Sequence, residues 1–302
     1  MKRIYFFLIL ITLVALGGCG KSKSERKAEQ AEAAERERQA FAAAFRVAVT
    51  PTLDCLPVFL MIDSCVVDTS KLDVRMLMFT SHIDVDTAFI NGRVHLAFSD
   101  LVRMERIHKR KIAVGYLAPT AARWELIGNK SDRINRLSQL GDRMLAMTRF
   151  SATDLLADMA IKEAKAENKI YKVQINDINI RCQMLANNEM NALFLPEPQA
   201  TAAREKGNKV LFSSVDKDVR LGVIAIKDAE IYNDERNRQL DEFSKAYDKA
   251  CDLINKRGLK YYSALITKYC GVDEHTVAAL PQITFPKCGK LREKDQKTAL
   301  SF

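Results

Sequence analysis

Short apolar runs alternate with amphipathic or polar segments between residues 45 and 226. The runs have the length of buried strands, and polar residues that suit the start of a helix follow several of them. This alternation predicts parallel sheets covered by helices on both faces. Strands are predicted at residues 47–49, 74–79, 94–98, 112–117, 124–127, 144–147, 171–175, 192–195, 210–212 and 221–226, and a long amphipathic helix at 234–256.

Polar side chains follow the first three predicted strands at the point where each strand ends. Because the carboxyl ends of parallel strands share one edge of a sheet, these side chains can line one cleft. The free N–H groups and positive dipole ends of the following helices favour a small ligand there. Each side chain alone also fits an ordinary helix cap, so only their convergence predicts a site. The predicted cleft residues of this half are Thr50, Thr52, Asp54, Ser81, Asp84, Ser99 and Asp100.

The second half of the chain repeats the pattern with two further strand-end loops. The loop after residues 144–147 adds an arginine and an aromatic ring to its hydroxyl groups. The loop after residues 192–195 is a stiff, proline-containing turn with one carboxylate. We expect both loops to face the same cleft. The predicted cleft residues of this half are Thr148, Arg149, Phe150, Ser151, Glu197 and Pro198.

The first 19 residues have the pattern of a targeting sequence. Lys2 and Arg3 precede an apolar run, Ile4–Leu16, that is shorter than the roughly 20 residues of a membrane-spanning helix. The sequence Leu-Gly-Gly-Cys then ends at Cys19 and resembles a bacterial lipobox. It predicts a signal peptide over residues 1–18 and an acylated Cys19 that anchors the protein to a lipid bilayer. A plain secretory signal is the alternative.

Residues 19–44 form a charged segment without glycine or proline after Gly20 and without an apolar stripe. Such a segment can be helical but has no face with which to pack. We expect a solvated tether that carries the folded domain away from the bilayer.

Composition and charge narrow the class of protein. A hydrophobic fraction of 48% and a charged fraction of 28% are typical of a globular protein. The net charge of +9 is spread along the chain, without the clusters of basic and aromatic residues that nucleic-acid binding requires. We therefore expect no nucleic-acid partner. The charge favours residence near anionic lipid.

The cysteines and histidines predict no metal site. The four histidines show no metal-ligand spacing with the cysteines. Cys55 and Cys65 would lie about 15 Å apart along one helix, too far for a disulfide. Cys270 and Cys288 flank a short predicted helix and could meet.

Three stretches carry a resemblance to a known family: Thr50–Pro57 (TPTLDCLP), Gly92–Asp100 (GRVHLAFSD) and Leu195–Ala200 (LPEPQA). With the order of elements, they resemble the substrate-binding proteins of bacterial ABC importers, in the group that carries nitrate, alkanesulfonates, taurine and thiamine-pyrimidine precursors. The resemblance covers about residues 45–280. It implies an α/β, type II periplasmic-binding-protein fold, in which two lobes, each a mainly parallel sheet flanked by helices, are joined by two crossover strands.

The resemblance also implies where the two lobes begin and end and how they act on a ligand. Lobe one would comprise residues 45–129 and 221–302, lobe two residues 130–220, with crossovers near 124–128 and 221–224. The lobes would close over a small-molecule ligand, and an ABC permease would distinguish the closed form. We expect a monomeric lipoprotein on the periplasmic or extracellular face of a membrane, with no cofactor and no enzymatic activity.

The sign of the ligand's charge is open at the level of sequence. Helix N-termini and Arg149 favour an anion. The carboxylates, if two or more face the cleft, disfavour a sulfonate or nitrate and favour a heterocyclic or amine-bearing metabolite. Two other classes stay open: an enzyme on the same fold, and a ligand-free scaffold or sensory lipoprotein. The candidate carboxylates are Asp54, Asp84, Asp86, Asp100 and Glu197.

Overall fold

Residues 23–64, 66–227 and 234–302 are described by a computed structural model. The predicted signal peptide, Cys19 and Cys65 lie outside these ranges. The chain divides into two units, residues 1–44 and 45–302. The described part of the first is one helix, α1 (Lys23–Ala43), whose described side chains are exposed to solvent. Across the described ranges, no helix combines the length and apolar character needed to cross a bilayer.

Ten strands form in the described part of residues 45–302, and each is only four to six residues long. Apolar residues dominate the strands inside each sheet, which are mostly buried, whereas the edge strands are more exposed. The strands are β1 (Phe45–Val49), β2 (Val74–Met78), β3 (Leu96–Asp100), β4 (Val114–Pro119), β5 (Trp124–Gly128), β6 (Met144–Met147), β7 (Tyr171–Gln174), β8 (Ala192–Pro196), β9 (Lys209–Ser213) and β10 (Gly222–Lys227).

Helices follow most of these strands and cover the faces of the sheets. Four short 3-10 turns accompany them at Leu53–Cys55, Lys130–Asp132, Leu137–Leu140 and Leu259–Tyr262. The helices of this unit are α2 (Leu56–Asp63), α3 (His82–Ile90), α4 (Leu101–Lys109), α5 (Ala152–Ala164), α6 (Ile178–Ala186), α7 (Gln199–Glu205), α8 (Asp234–Arg257), α9 (Ser263–Cys270), α10 (Glu274–Ala278) and α11 (Glu293–Leu300).

The strands form two mixed five-stranded sheets that share one topology. The first has the order β2-β1-β3-β10-β4 and the second the order β7-β6-β8-β5-β9. In each sheet, three parallel strands are followed by an antiparallel strand that arrives from the other half of the chain. The chain passes between the sheets twice, at residues 120–123 and 214–221. We call these two segments the crossovers.

Strand β5 differs from its predicted position. The resemblance implies that residues 124–128 belong to the first lobe and to a crossover, whereas β5 pairs antiparallel with β8 and β9 of the second sheet. The apolar pattern of a strand indicates that it is buried, whereas its hydrogen-bonding partners depend on the tertiary structure. The first crossover is therefore the short segment 120–123 that precedes it.

Three clusters of buried apolar side chains hold these layers together. One packs between the first sheet and helices α2, α8 and α9, and a smaller one lies beneath α6 and α7 of the second sheet. The third contains residues of both sheets together with α3, α4 and α5. The two sheets are thus joined through apolar packing as well as through the crossovers.

The described cysteines are all free thiols: Cys55, Cys182, Cys251, Cys270 and Cys288. The pairing of Cys270 with Cys288 that their spacing allowed is therefore not formed. Cys288 instead lies against α8, where its backbone N–H donates to Asp248 at 2.8 Å. Cys270 is the last residue of α9, and its carbonyl accepts a hydrogen bond from Gln199 at 3.3 Å.

Candidate functional site

Strand-end loops of the two sheets meet directly. The backbone N–H of Leu53, after β1, donates to the carbonyl of Glu197, after β8, at 2.8 Å. The N–H of Ala152, at the start of α5, donates to Asp100 Oδ1 at 3.0 Å. The N–H of Ile178 donates to the carbonyl of Thr80 at 3.1 Å. The N-terminal ends of helices from both sheets therefore converge on one line of contact.

A small cavity of about 20 Å³ lies along this line. It holds about one water-sized group, so a larger molecule can enter only if the two sheets separate. We call it the inter-sheet cavity. Its lining residues are His82, Asp100, Trp124, Thr148, Ser151, Thr153, Asn176, Ile178, Arg181 and Pro196.

Arg181 supplies a permanent positive charge to this cavity. Its side chain is 3% exposed and donates to the carbonyls of Ile175 at 2.7 Å and Phe194 at 2.9 Å, and to the hydroxyl of Thr148. No carboxylate of the described residues lies within ion-pair distance of it. Burial lowers the pKa of Arg181 to about 10, so it stays charged at neutral pH. The cavity thus contains a buried cation without a paired anion.

Arg103, from α4, brings a second guanidinium close to the first. It is 4% exposed and forms an ion pair with Asp86, whose side chain is 18% exposed. Within the described residues, Arg103 Nε and Asp86 Oδ1 are buried and make no hydrogen bond. Burial raises the pKa of Asp86, and Arg103 counteracts the rise. The ion pair thus leaves the buried Nε of Arg103 without a partner among the described residues.

Asp100 is the N-cap of α4 and contacts both sheets. Its Oδ1 accepts the N–H of Arg103 at 3.0 Å in its own helix and the N–H of Ala152 across the cleft. Burial raises the pKa of Asp100 to about 7, although Arg103 and these N–H groups favour the ionised form. The residue is therefore partly protonated at neutral pH and contributes less than one negative charge.

His82, the first residue of α3, is neutral at physiological pH. Burial lowers its pKa to about 3, and the charges of Arg103 and Arg181 contribute to that shift. A neutral imidazole presents one donor and one acceptor to the cavity. The groups around the cavity thus include one permanent cation, one partly protonated carboxyl and one neutral imidazole.

The chain has structural relatives but no match by sequence. No protein-family model matches it, and no curated protein does. A Candida albicans protein with the generic periplasmic binding protein fold is similar to it with a TM-score of 0.64 at 10% identity, covering 80% of this chain and 81% of that one. The chain has the periplasmic-binding-protein fold.

Two further similar structures are of ligand-binding proteins, and one of these belongs to an import system. One is the ligand-binding component of an ABC-type import system from Staphylococcus aureus with zinc bound: TM-score 0.72, 13% identity, covering 85% of this chain and 90% of that one. The other is the alkanesulfonate-binding protein SsuA from Xanthomonas axonopodis pv. citri bound to MOPS: TM-score 0.70, 14% identity, covering 86% and 90%. The predicted resemblance is confirmed at the level of fold.

Three of the residues predicted from the sequence line the inter-sheet cavity of this periplasmic-binding-protein fold: Asp100, Thr148 and Ser151. Thr148 accepts a hydrogen bond from Arg181. Ser151 is the N-cap of α5; its hydroxyl accepts the N–H of Thr153 at 3.1 Å and donates to the carbonyl of Thr148 at 2.6 Å. The loops chosen from strand ends in both halves thus meet at one place.

The predicted residues after β1 form a separate buried network beside the cavity. The hydroxyls of Thr50 and Thr52 lie 2.8 Å apart, and Thr52 donates to Asp54 at 2.7 Å. Thr120 of the first crossover also donates to Asp54, at 3.2 Å. Burial raises the pKa of Asp54, and these two hydroxyls oppose the rise. None of the three predicted residues lines the inter-sheet cavity.

The Glu197 side chain is bound by residues of α7, the helix that follows it. Its Oε2 accepts the N–H and hydroxyl of Thr201 at 3.0 and 2.7 Å, and its Oε1 accepts from Arg204 at 2.9 Å. Neither Glu197 nor the adjacent Pro198 lines the cavity. The Glu197 carboxylate is neutralised locally, while its backbone carbonyl makes the contact with Leu53.

The remaining predicted residues lie at the edge of the cleft or cap helices. Ser81 accepts the N–H of Ile83 at 3.2 Å, and Ser99 is buried, its hydroxyl without a partner among the described residues. Asp84 and Arg149 are exposed. Phe150 is 48% exposed and carries the guanidinium of Arg106 3.4 Å above its ring centre, a contact between the two halves of the molecule.

The cleft residues predicted from the sequence do not include His82, Arg103 or Arg181. A signal for Arg181 exists: Ile178, Arg181 and Leu185 are the buried residues of α6 and share one face at helical spacing. An arginine on the apolar face of a helix is costly unless it has a role there. No cluster of metal-ligating side chains is found in the described ranges.

Proposed function

We propose that this protein is the substrate-binding component of an ABC importer, and that it traps a small organic metabolite with an anionic group between its two sheets. The observation that carries the proposal is the buried Arg181 guanidinium, which faces the inter-sheet cavity without a carboxylate partner in the described residues. A buried charge is stable only when it is paired. A carboxylate or sulfonate on the ligand would supply the missing anion.

The distribution of carboxylates supports an anion over an amine. Glu197 is neutralised by Arg204, Asp86 by Arg103, and Asp84 is exposed. Asp100 alone among the predicted carboxylates lines the cavity, and its raised pKa reduces its negative charge. A sulfonate or carboxylate in the cavity would therefore meet the Arg181 guanidinium and less than one full negative charge, with Arg103 close by. A heterocyclic ring could accompany the anionic group.

Binding is proposed to act through closure of two lobes. Lobe one would be residues 45 to about 119 with 221–302, and lobe two residues 124–220. This division places β5 in lobe two, whereas the sequence resemblance implies that it belongs to lobe one. Opening would break the contacts of Leu53, Ala152 and Ile178 across the cleft. A ligand that contacts both lobes would favour the closed form by its differential affinity. A permease could then distinguish the loaded protein.

We also propose where the protein is located and that it is monomeric. Acylation of Cys19 would hold it on the periplasmic or extracellular face of a membrane, with α1 in the tether, and it would act as a monomer without catalysing a reaction. The similarity in fold to the ligand-binding component of an import system supports transport. The lipobox-like sequence at residues 16–19 supports the anchor.

A ligand screen with matched variants tests the proposal. Native mass spectrometry of the protein purified from its source identifies co-purified molecules, and thermal-shift assays compare sulfonates, carboxylates, amines and pyrimidines. We expect stabilisation by one or more acids, since a ligand at 100 times its Kd adds about 2.7 kcal/mol. Arg181→Gln should remove it, and Thr148→Val should weaken it as an independent, conservative change.

The matched control is Asp84→Asn, on the exposed residue of the same cleft edge, which should leave the shift unchanged. Stabilisation by amines alone, or equal shifts in Arg181→Gln and the unmodified protein, would contradict an anionic ligand. Recovery of a chemically altered ligand after incubation would favour the enzyme. A protein with neither co-purified molecule nor shift would favour the scaffold.

A further inference from the structure

A second, larger hollow lies at the crossovers. Its volume is about 350 Å³, within the roughly 300–1,000 Å³ of small-molecule sites. We call it the hinge recess. It is bordered by the first crossover with its flanks (119–123), the second crossover (214–220) and the C-terminal segment (282–295). No residue of the inter-sheet cavity lines it, so the two hollows are separate.

Arg123, in the first crossover, is the unusual residue of the hinge recess. Its Nε is buried without a hydrogen-bond partner, and its guanidinium makes no ion pair with a described residue. Burial lowers the pKa of Arg123. The nearest acids, Glu197 and Glu125, are both engaged by Arg204. The guanidinium donors of Arg123 thus line a ligand-sized recess without an acceptor among the described residues.

The carboxylates that line the hinge recess, Asp218 and Asp295, form ion pairs with neighbouring basic side chains. Asp295, 2% exposed, accepts the N–H of Arg220 at 3.1 Å and the guanidinium of Arg292 at 2.6 and 2.9 Å. Asp218 accepts from Arg292 and from Lys294, both at 2.7 Å. Because these carboxylates are neutralised, they repel an incoming anion only weakly.

We propose that the hinge recess binds a small free oxyanion, a carboxylate or a phosphate, through Arg123. The planar guanidinium matches either group with two parallel hydrogen bonds. The Arg220 side chain, on the other crossover, lies on the same recess and holds its own acid, Asp218, only loosely at 3.7 Å. A bound anion would therefore contact both crossovers at once.

Isothermal titration calorimetry with inorganic phosphate and with citrate, on the full chain, tests this site. We expect the unmodified protein to bind at least one of them, and Arg123→Gln to weaken the affinity about tenfold or more, since charge-assisted hydrogen bonds are the stronger ones. Arg220→Gln should weaken it less. Arg123→Gln should also unfold at the same or a higher temperature, since it removes an unpaired, partly buried cation.

Two control variants distinguish anion binding at the hinge recess from nonspecific binding to surface charge and from binding in the inter-sheet cavity. Arg110→Gln removes an exposed arginine at the end of α4 and should bind as the unmodified protein does. Arg181→Gln should also retain phosphate or citrate binding, whether or not the inter-sheet cavity binds the proposed metabolite. The proposal is overturned if neither anion binds, if Arg123→Gln binds equally well, or if Arg181→Gln abolishes binding.

Discussion

Arg181 and Asp100 lie on the same small cavity, and burial acts on both by disfavouring the charged form. For the guanidinium this effect is too small to discharge it at neutral pH, since burial lowers its pKa only to about 10. For the carboxyl it matters, since its pKa is raised to about 7. One lining residue is thus a permanent cation and the other titrates near neutral pH.

Asp100 should make stability depend on pH. The folded state keeps its proton up to about pH 7, whereas the unfolded chain loses it near about pH 4. The folded state binds more protons between these values, so the free energy of unfolding falls as pH rises from about 4 to about 7, by on the order of 4 kcal/mol. Asp100→Asn retains an acceptor for the N–H groups of Arg103 and Ala152 but cannot titrate.

Urea denaturation of both proteins across this pH range measures the effect. We expect the unmodified protein to lose stability relative to Asp100→Asn as pH rises, with most of the difference gone below about pH 4. Parallel pH profiles for the two proteins would mean that the carboxyl is ionised throughout, with Arg103 and the two N–H groups outweighing burial.

At the scale of elements, strand-to-helix loops determine where the two sheets touch. Ser81, Asp100 and Ser151 each cap a helix in their own sheet, and the loops that contain them contact the other sheet. Capping fixes the direction of each helix N-terminus. The same short loops can therefore be both structural caps and one wall of a cleft.

Strand β10, which directly follows the second crossover, begins at a glycine that leaves no room for a side chain. A Cβ atom at Gly222 would lie 2.5 Å from the Cβ of Ala122 and closer still to the hydroxyl of Thr120, so the two crossovers could not pack as they do. Gly222→Ala should destabilise the protein by about 1–3 kcal/mol through overpacking. Gly289→Ala is the matched control, because nothing lies within 4 Å of its added Cβ. Equal unfolding midpoints in the two variants would show that the crossovers can shift without cost.

At the scale of the whole molecule, the proposed opening and closing depends on a few contacts between the two halves. Arg106 over the ring of Phe150 is one of them. Partly exposed cation–π contacts contribute about 0.5–1 kcal/mol. Removing this contact should therefore shift the open–closed equilibrium about two- to fivefold toward the open form.

Phe150→Ala tests this expectation by small-angle scattering and ligand dissociation. We expect a larger radius of gyration without ligand and a faster off-rate with it. Tyr261→Ala removes a comparable exposed ring, beneath Arg257 at 4.6 Å, but within one half of the molecule. It should change neither quantity. A radius of gyration that changes equally in both variants would exclude a special role for Phe150 in closure.

Local features of this protein could be predicted from its sequence. The helix predicted at 234–256 extends over Asp234–Arg257, and the capping roles of Ser81, Asp100 and Ser151 agree with the structure. These features depend on contacts within a few residues along the chain. The apolar pattern also gave the alternation of strands and helices, and with it the class of fold.

Only the tertiary structure determined which strand-end residues meet. Cavity-lining Asp100 and Thr148 are 48 residues apart in sequence, and Arg181 comes from helix α6, none of whose residues was predicted to bind a ligand. Strand pairing placed β5 in the second sheet, and the Glu197 carboxylate is bound by residues of α7. Neither could be predicted, because many groups of the same chemistry compete as hydrogen-bond partners and the three-dimensional packing selects among them. The sequence thus determined which elements form and where their polar ends lie. The packing of the two sheets against each other determined that Arg181, together with only one of the predicted carboxylates, Asp100, lines the cavity between them.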